Sequence, residues 1–174
     1  MCIRDSDSIA RFVDSGISEL KGKLGPIVWQ FMPTKAFEPG DFEAFLALLP
    51  QQVDGLRLRH ALDVRHPSFA TPAFVALARR YGCVPVHTDS DQFPAIADAE
   101  ADFAYLRLMR GQAGVPTGYT ADAIAQWAQG VRTWTSGERP RDVFVFFING
   151  AKERAPAGAM ELLRQLGATP SRAA

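Results

Sequence analysis

Residues 59–88 read RHALDVRHPSFATPAFVALARRYGCVPVHT, a strand, a helix and a second strand with almost nothing between them. The first segment, 59–65, alternates along its length, so Leu62 and Val64 fall on one face and Asp63 and Arg65 on the other. A helix is expected over 71–81, closed by Gly82, and a strand over 83–88 follows directly. A strand–helix–strand run of this kind joins parallel strands through a right-handed crossover.

The same alternation extends in both directions. Upstream, Ile9, Phe12, Val13, Ile17 and Leu20 recur at helical spacing and predict a helix over 7–20. After Gly25-Pro26, the β-branched and aromatic run 27–31 predicts a strand that stops before Pro33, and 41–49 returns to helical spacing up to Pro50. Downstream, strands are expected at 103–109 and 142–148 and helices at 121–135 and 156–166. Five strands separated mostly by helices define an α/β protein, either a layered parallel sheet or a barrel; periodicity does not separate the two. Helical patterning begins only after Met1–Ser6, which read as a foreign junction, and the tail 169–174 is expected to be disordered.

Composition limits the function classes. The chain has 174 residues, 47% hydrophobic and 22% charged, which suits one globular unit. Its 19 basic and 19 acidic residues balance, which removes the broad electrostatic argument for a nucleic-acid coat or an anionic membrane surface. Cys2 and Cys83 are the only cysteines, too few for a disulfide framework or a four-thiolate metal site, and point to the cytoplasm. No apolar run approaches the ~20 residues that span a bilayer.

In an α/β protein the reacting groups sit at the carboxyl ends of parallel strands. That rule selects Gln30, Asp63, Arg65, His66, His87, Asp89, Tyr105, Arg107 and Asn149. Within 83–89, Val84 and Val86 oppose His87 and Asp89; within 103–109, Leu106 and Leu108 oppose Tyr105 and Arg107. If the apolar residues face helices, the polar ones share the other face, a pattern that costs desolvation unless they pair or line a wet cleft. Asp63, His87 and Asp89 are the candidate proton-transfer groups; either carboxylate would orient His87. Gln30, Arg65, His66, Tyr105, Arg107, Tyr119 and Asn149 are the candidate ligand-binding groups, the arginines favouring a small anionic ligand. The spacing of Asp63, His66, His87 and Asp89 matches no metal signature, so no metal is assigned, and no cofactor is indicated. Gly111, Gly114 and Gly118 mark the loop before Tyr119 as a mobile flap, or Tyr119 as its anchor. Cys83 begins a strand, away from the presumed site, and reads as an inert core thiol.

Four blocks in order carry a resemblance: Leu24–Phe31, Leu62–Phe69, Tyr105–Leu108 and Val143–Asn149. They resemble strand motifs of the YecE-like family, domain of unknown function 72. In that family a glutamine ends one strand, an acidic-x-Arg-His block ends the next, a Tyr-x-Arg precedes a tyrosine-bearing loop and an asparagine ends the last. The likeness runs from about Ile9 to Gly167. It implies a (β/α)8 barrel, of which this chain would hold an incomplete set of about five strands from the helix before the fourth onward, over 7–168. Two residues depart from the family pattern: Asp63 stands where glutamate is common, and Met109-Arg110-Gly111 where the family shows His-Gly.

Three functions compete on these residues. An enzyme would use Arg65 and Arg107 to bind an anionic or sugar-like substrate, and His87 or Asp63 to move protons. A non-catalytic module binding a ligand or a nucleic-acid end would show the same cleft with its acids neutralised by arginines and no free base. A chain whose barrel is incomplete would have no activity of its own. Nucleic-acid processing is disfavoured by the neutral charge, and oligomeric state is not legible.

Overall fold

The computed structural model describes residues 6–136, 138–148 and 150–168. Asn149 and the segments 1–5 and 169–174 lie outside the described residues, so the expectations for them rest on sequence alone. The chain is a mixed α/β protein that divides into two compact units, one up to Pro85 and one from Val86.

The first unit is built on a three-stranded parallel sheet, β1 (Ile27–Gln30), β4 (His60–Asp63) and β5 (Cys83–Pro85), in the order β1-β4-β5. Helices α1 (Ser6–Val13), α2 (Pro39–Leu46) and α3 (Pro72–Arg80) belong to the same unit. The register pairs Gln30 with Asp63, and Ala61 with both Val28 and Val84, so these residues share one face. Trp29 and Leu62 point the other way, where Trp29 meets Phe45 of α2 at 5.7 Å. Phe31, Phe37, Phe42, Phe45, Phe69 and Phe74 form a continuous ring-on-ring cluster, with centroids 5.1–6.4 Å apart among the contacting pairs. Thr71 caps α3 by accepting from Phe74 N at 3.3 Å, and Pro72 takes the first helical position, where a missing N–H costs nothing.

Two local features differ from the expectation. The predicted helix 7–20 ends at Val13; Gly16 at φ 99° turns the chain, and a 3-10 segment follows over Ile17–Lys23. Between α2 and β4 lies a hairpin, β2 (Gln52–Val53) and β3 (Leu56–Arg57), turned by Asp54 (φ 48°) and Gly55 (φ 77°). Two positive φ values in a two-residue loop are the condition for the primed turn that matches strand twist.

His60 lies in the first unit's core at 0% exposure. Trp29 Nε1, which can only donate, points at His60 Nδ1 at 3.0 Å, so Nδ1 is the acceptor and Nε2 donates to Pro50 O at 2.8 Å. Burial holds the His60 pKa below its ordinary 6.5, partly opposed by the bond to Pro50. The unfolded chain therefore takes up this proton first on acidification. The stability held by neutral His60 is complete above pH 6.5 and is lost as pH falls from there through the lower folded value. Denaturant unfolding at pH 7.5 and about 5.5 should show lower stability at the acid pH, and His60→Gln should remove most of that difference. An undiminished difference in the variant would contradict the assignment.

The second unit carries the parallel sheet β6 (His87–Asp89), β7 (Phe103–Leu108) and β8 (Asp142–Phe147), in that order, with α4 (Ala121–Ser136) and α5 (Ala155–Leu166). Leu106 and Leu108 pack with Tyr119, Ile124, Ala128 and Leu162, so this face of the sheet is the helix-covered one. The single strand expected over 83–88 is two pairings, Cys83–Pro85 on β4 and His87–Asp89 on β7. Pro85 has no N–H to continue a ladder. Neither sheet closes on itself among the described residues. No helix among them is long and apolar enough to cross a membrane.

Candidate functional site

Gln30 and Asp63 are the last residues of neighbouring parallel strands and face each other in register. Arg65, two residues beyond Asp63, returns to the same side. Its Nη2 donates to Gln30 Oε1 at 2.9 Å and to Asp63 Oδ2 at 3.2 Å. Asp63 is 1% exposed and the Arg65 side chain 15%. A carboxylate taken so far out of water needs a countercharge, and Arg65 supplies it. The structure thus brings together three of the residues selected from sequence, with the acid already bound to the arginine.

His66 follows at once and begins a 3-10 turn, Pro67–Phe69. Ser68 N donates to His66 Nδ1 at 3.2 Å, which makes Nδ1 an acceptor and places the ring proton on Nε2. Ser68 Oγ lies 2.7 Å from the same Nδ1 and therefore donates to it, while Oγ itself accepts from Phe37 N at 2.7 Å. His66 is thus the N-cap of a turn three residues past the end of β4 rather than a strand-end residue. Strand-end reasoning gives Ser68 and Phe37 no role, because the first lies in a turn and the second in a loop. The usable signal is the short His-Pro-Ser spacing, which lets a side chain two residues on fold back to the imidazole.

The second unit corrects the expected arrangement. The register pairs His87 with Leu106, Thr88 with Arg107 and Asp89 with Leu108. His87 and Asp89 therefore lie on the helix-covered face with the leucines, and Thr88, not His87, shares the face of Tyr105 and Arg107. The nearest groups explain why a polar pair is tolerated there. His87 Nδ1 lies 3.3 Å from Ile96 O, and its ring meets Trp127 of α4 edge-on at 5.9 Å. Asp89 Oδ2 accepts from Tyr119 Oη at 2.9 Å, and Asp89 Oδ1 faces Arg110 Nε at 3.3 Å. Asp89 is engaged by these two groups instead of orienting His87. On the opposite face, Tyr105 stacks on Phe146 at 4.9 Å and Arg107 is the register partner of Phe146. Thr88 Oγ1 is buried with no hydrogen-bond partner among the described residues.

The glycine-bearing loop is fastened down rather than free as a flap. Tyr119 is 8% exposed, and its oxygen accepts from Arg110 N at 2.7 Å while donating to Asp89. Burial and the Asp89 carboxylate raise its pKa, with the Arg110 N–H opposing them. Gln112 N donates to Gly118 O at 2.7 Å, Ala151 N to Gly111 O at 2.9 Å and Arg154 Nε to Ala113 O at 3.1 Å. Gly150, at φ 55°, approaches so closely that a Cβ there would collide with Gly111 O. The cavity under this loop, lined by Leu108, Tyr119 and Phe147 among others, is about 10 Å³. That is room for roughly one water and for no substrate. Tyr119→Phe strands the Arg110 N–H and should cost about 1–3 kcal/mol, with faster amide exchange across 110–120 as the readout.

Burial pushes the Cys83 thiol up to about 12, in keeping with an inert core thiol. Among the described residues no group of three His, Cys, Asp or Glu side chains is placed to hold a metal ion.

The fold and these contacts define a parallel α/β protein with a polar arginine-centred cluster at the carboxyl ends of two adjacent strands. The chain belongs to the family described as Protein of unknown function DUF72, whose model matches residues 3–174, and this is the family the sequence blocks resemble. A DUF72 family protein of Enterococcus faecalis V583 shares the fold at 17% identity, covering 95% of this chain and 70% of its own, with a TM-score of 0.71. A DUF72 family protein of Thermotoga maritima MSB8 does so at 17% identity, covering 93% and 65%, with a TM-score of 0.72. At this identity the likeness concerns fold alone. A comparison with curated proteins found no match.

Proposed function

We propose that the chain is a ligand-binding α/β module that recognises a small anionic or oxygen-rich, sugar-like ligand at the carboxyl ends of β1 and β4. The observation that carries this reading is the fixing of Arg65 by Gln30 and Asp63. A guanidinium held in one plane has lost its rotamer freedom before the ligand arrives, and its planar donors suit carboxylate or phosphate. A proton-transfer role for Asp63, His87 and Asp89 has less support. Asp63 is bound to Arg65, Asp89 to Tyr119 and Arg110, and His87 faces a carbonyl and an indole. The parallel strand succession, together with the fold shared with longer family proteins, supports reading the two sheets as parts of a (β/α)8 scheme. The buried free thiol of Cys83 supports a cytoplasmic setting.

The test is the thermal midpoint in rising phosphate, malonate and glucose 6-phosphate, for the wild type and Arg65→Lys. A saturable rise is expected in the wild type, needing at least about tenfold more ligand in the variant, the cost of a lost charge-assisted bond. No rise, or equal rises in both proteins, would contradict the proposal.

A further inference from the structure

We propose that Ser68 is a nucleophile and His66 its base, an acyl-transfer pair that goes beyond the recognition of a ligand by Arg65 and does not depend on it. The proton positions follow from the contacts. The Ser68 amide donates to His66 Nδ1, so the imidazole offers a lone pair there, and the Ser68 hydroxyl, at 2.7 Å, donates into it. From the other side the Phe37 N–H donates to Ser68 Oγ at 2.7 Å. A hydroxyl that gives its proton to an imidazole while its oxygen receives an N–H is polarised toward alkoxide at both ends, the condition an activated serine needs. His66 and Ser68 are both only half-buried, so the pair is within reach of solvent.

The turn supplies a second reason. Pro67 fixes φ between the two residues, and the 3-10 turn closes with Phe69 N on His66 O at 3.2 Å, so base and hydroxyl are held by backbone. Phe69 is 0% exposed and anchors that turn in the phenylalanine cluster. The substrate class that follows is a small carboxylic ester able to reach the half-buried pair.

The step balances without a cofactor. Ser68 Oγ forms a bond to the acyl carbon as its proton passes to His66 Nδ1. The carbon–oxygen bond to the alcohol then breaks, and the alcohol leaves with that proton. Water attacks the acyl-serine, gives its proton to His66 and releases the acid, with the proton returned to Ser68.

The experiment is labelling of the whole chain with an uncharged alkyl fluorophosphonate, followed by peptide mass analysis. The adduct is expected on Ser68, with none at that peptide in Ser68→Ala and a labelling rate in His66→Ala lower by on the order of 10²-fold. Ser68→Cys, which keeps a side chain beside Phe37 N, should react with iodoacetamide faster than Ser68→Cys carrying His66→Ala, and with a pH profile shifted to lower pH. Melting curves of each variant establish that it is folded. An unlabelled Ser68 in the folded wild type, or equal rates with and without His66, would overturn acyl transfer. The anion-dependent midpoint is read separately on the wild type, so a protein that binds phosphate but resists the fluorophosphonate loses only this proposal.

Discussion

Phe42→Ala is expected to destabilise the first unit by about 3–5 kcal/mol, the upper range for truncating a core side chain. Phe42 is 2% exposed and touches the rings of Phe31, Phe37, Phe45, Phe69 and Phe74. Its removal leaves a hole that five rigid rings cannot fill by rotating, because each is already held edge-on or tilted by the others. Denaturant midpoints of the variant and wild type check it, with an unchanged m-value as the sign that only stability moved. A loss under about 1 kcal/mol would mean that the cluster relaxes around the cavity. The same cluster supports the site, since Phe69 closes the turn after His66 and Phe31 N donates to Asp63 O at 2.9 Å.

Asp63→Ala is the second large effect, about 3–5 kcal/mol, because it leaves the Arg65 charge mostly buried without its carboxylate. The pair itself is not the source of that number. Replacing both residues together, Asp63→Leu with Arg65→Met, removes both desolvation costs and should be far less destabilising than Asp63→Ala alone. If the double variant were as unstable as the single one, the pair would be holding the sheet together and not serving a ligand. A near-wild-type stability with lost anion response would place the cluster on the side of function.

The strand–helix alternation is legible because each element has its own period and its own punctuation. Thr71-Pro72 before α3 and Gly82 after it, and the β-branched run at β1, are local signals that tertiary packing does not override. Other signals are fainter. Asp54-Gly55 is a two-residue turn signal, but the hairpin it makes has strands of only two residues each, too short for alternation to show. Helix α1 is shorter than its periodicity suggests because Ile17 and Leu20 keep helical spacing beyond Gly16, and spacing does not register a left-handed residue.

The site is legible by halves. Strand-end parity places Gln30, Asp63 and Arg65 together correctly, since all three are read along two strands in register. It fails for His87 and Asp89, because parity within a strand does not state which face meets the helices; that is set by the register on β7, which pairs His87 with Leu106. Periodicity also cannot show that Tyr119 and Arg110 reach Asp89 from a loop, and the serine two residues past His66 is signalled only by the local His-Pro-Ser spacing. Those contacts depend on backbone turns whose directions no periodicity encodes.

The most direct test of the central claim is a calorimetric titration of the folded protein with glucose 6-phosphate and malonate, repeated on Arg65→Lys and Gln30→Ala. Saturable binding to the wild type is expected, weaker by at least about tenfold in Arg65→Lys and also weakened when Gln30 no longer holds the guanidinium. Binding of equal strength in all three proteins, or none in the wild type, would contradict it.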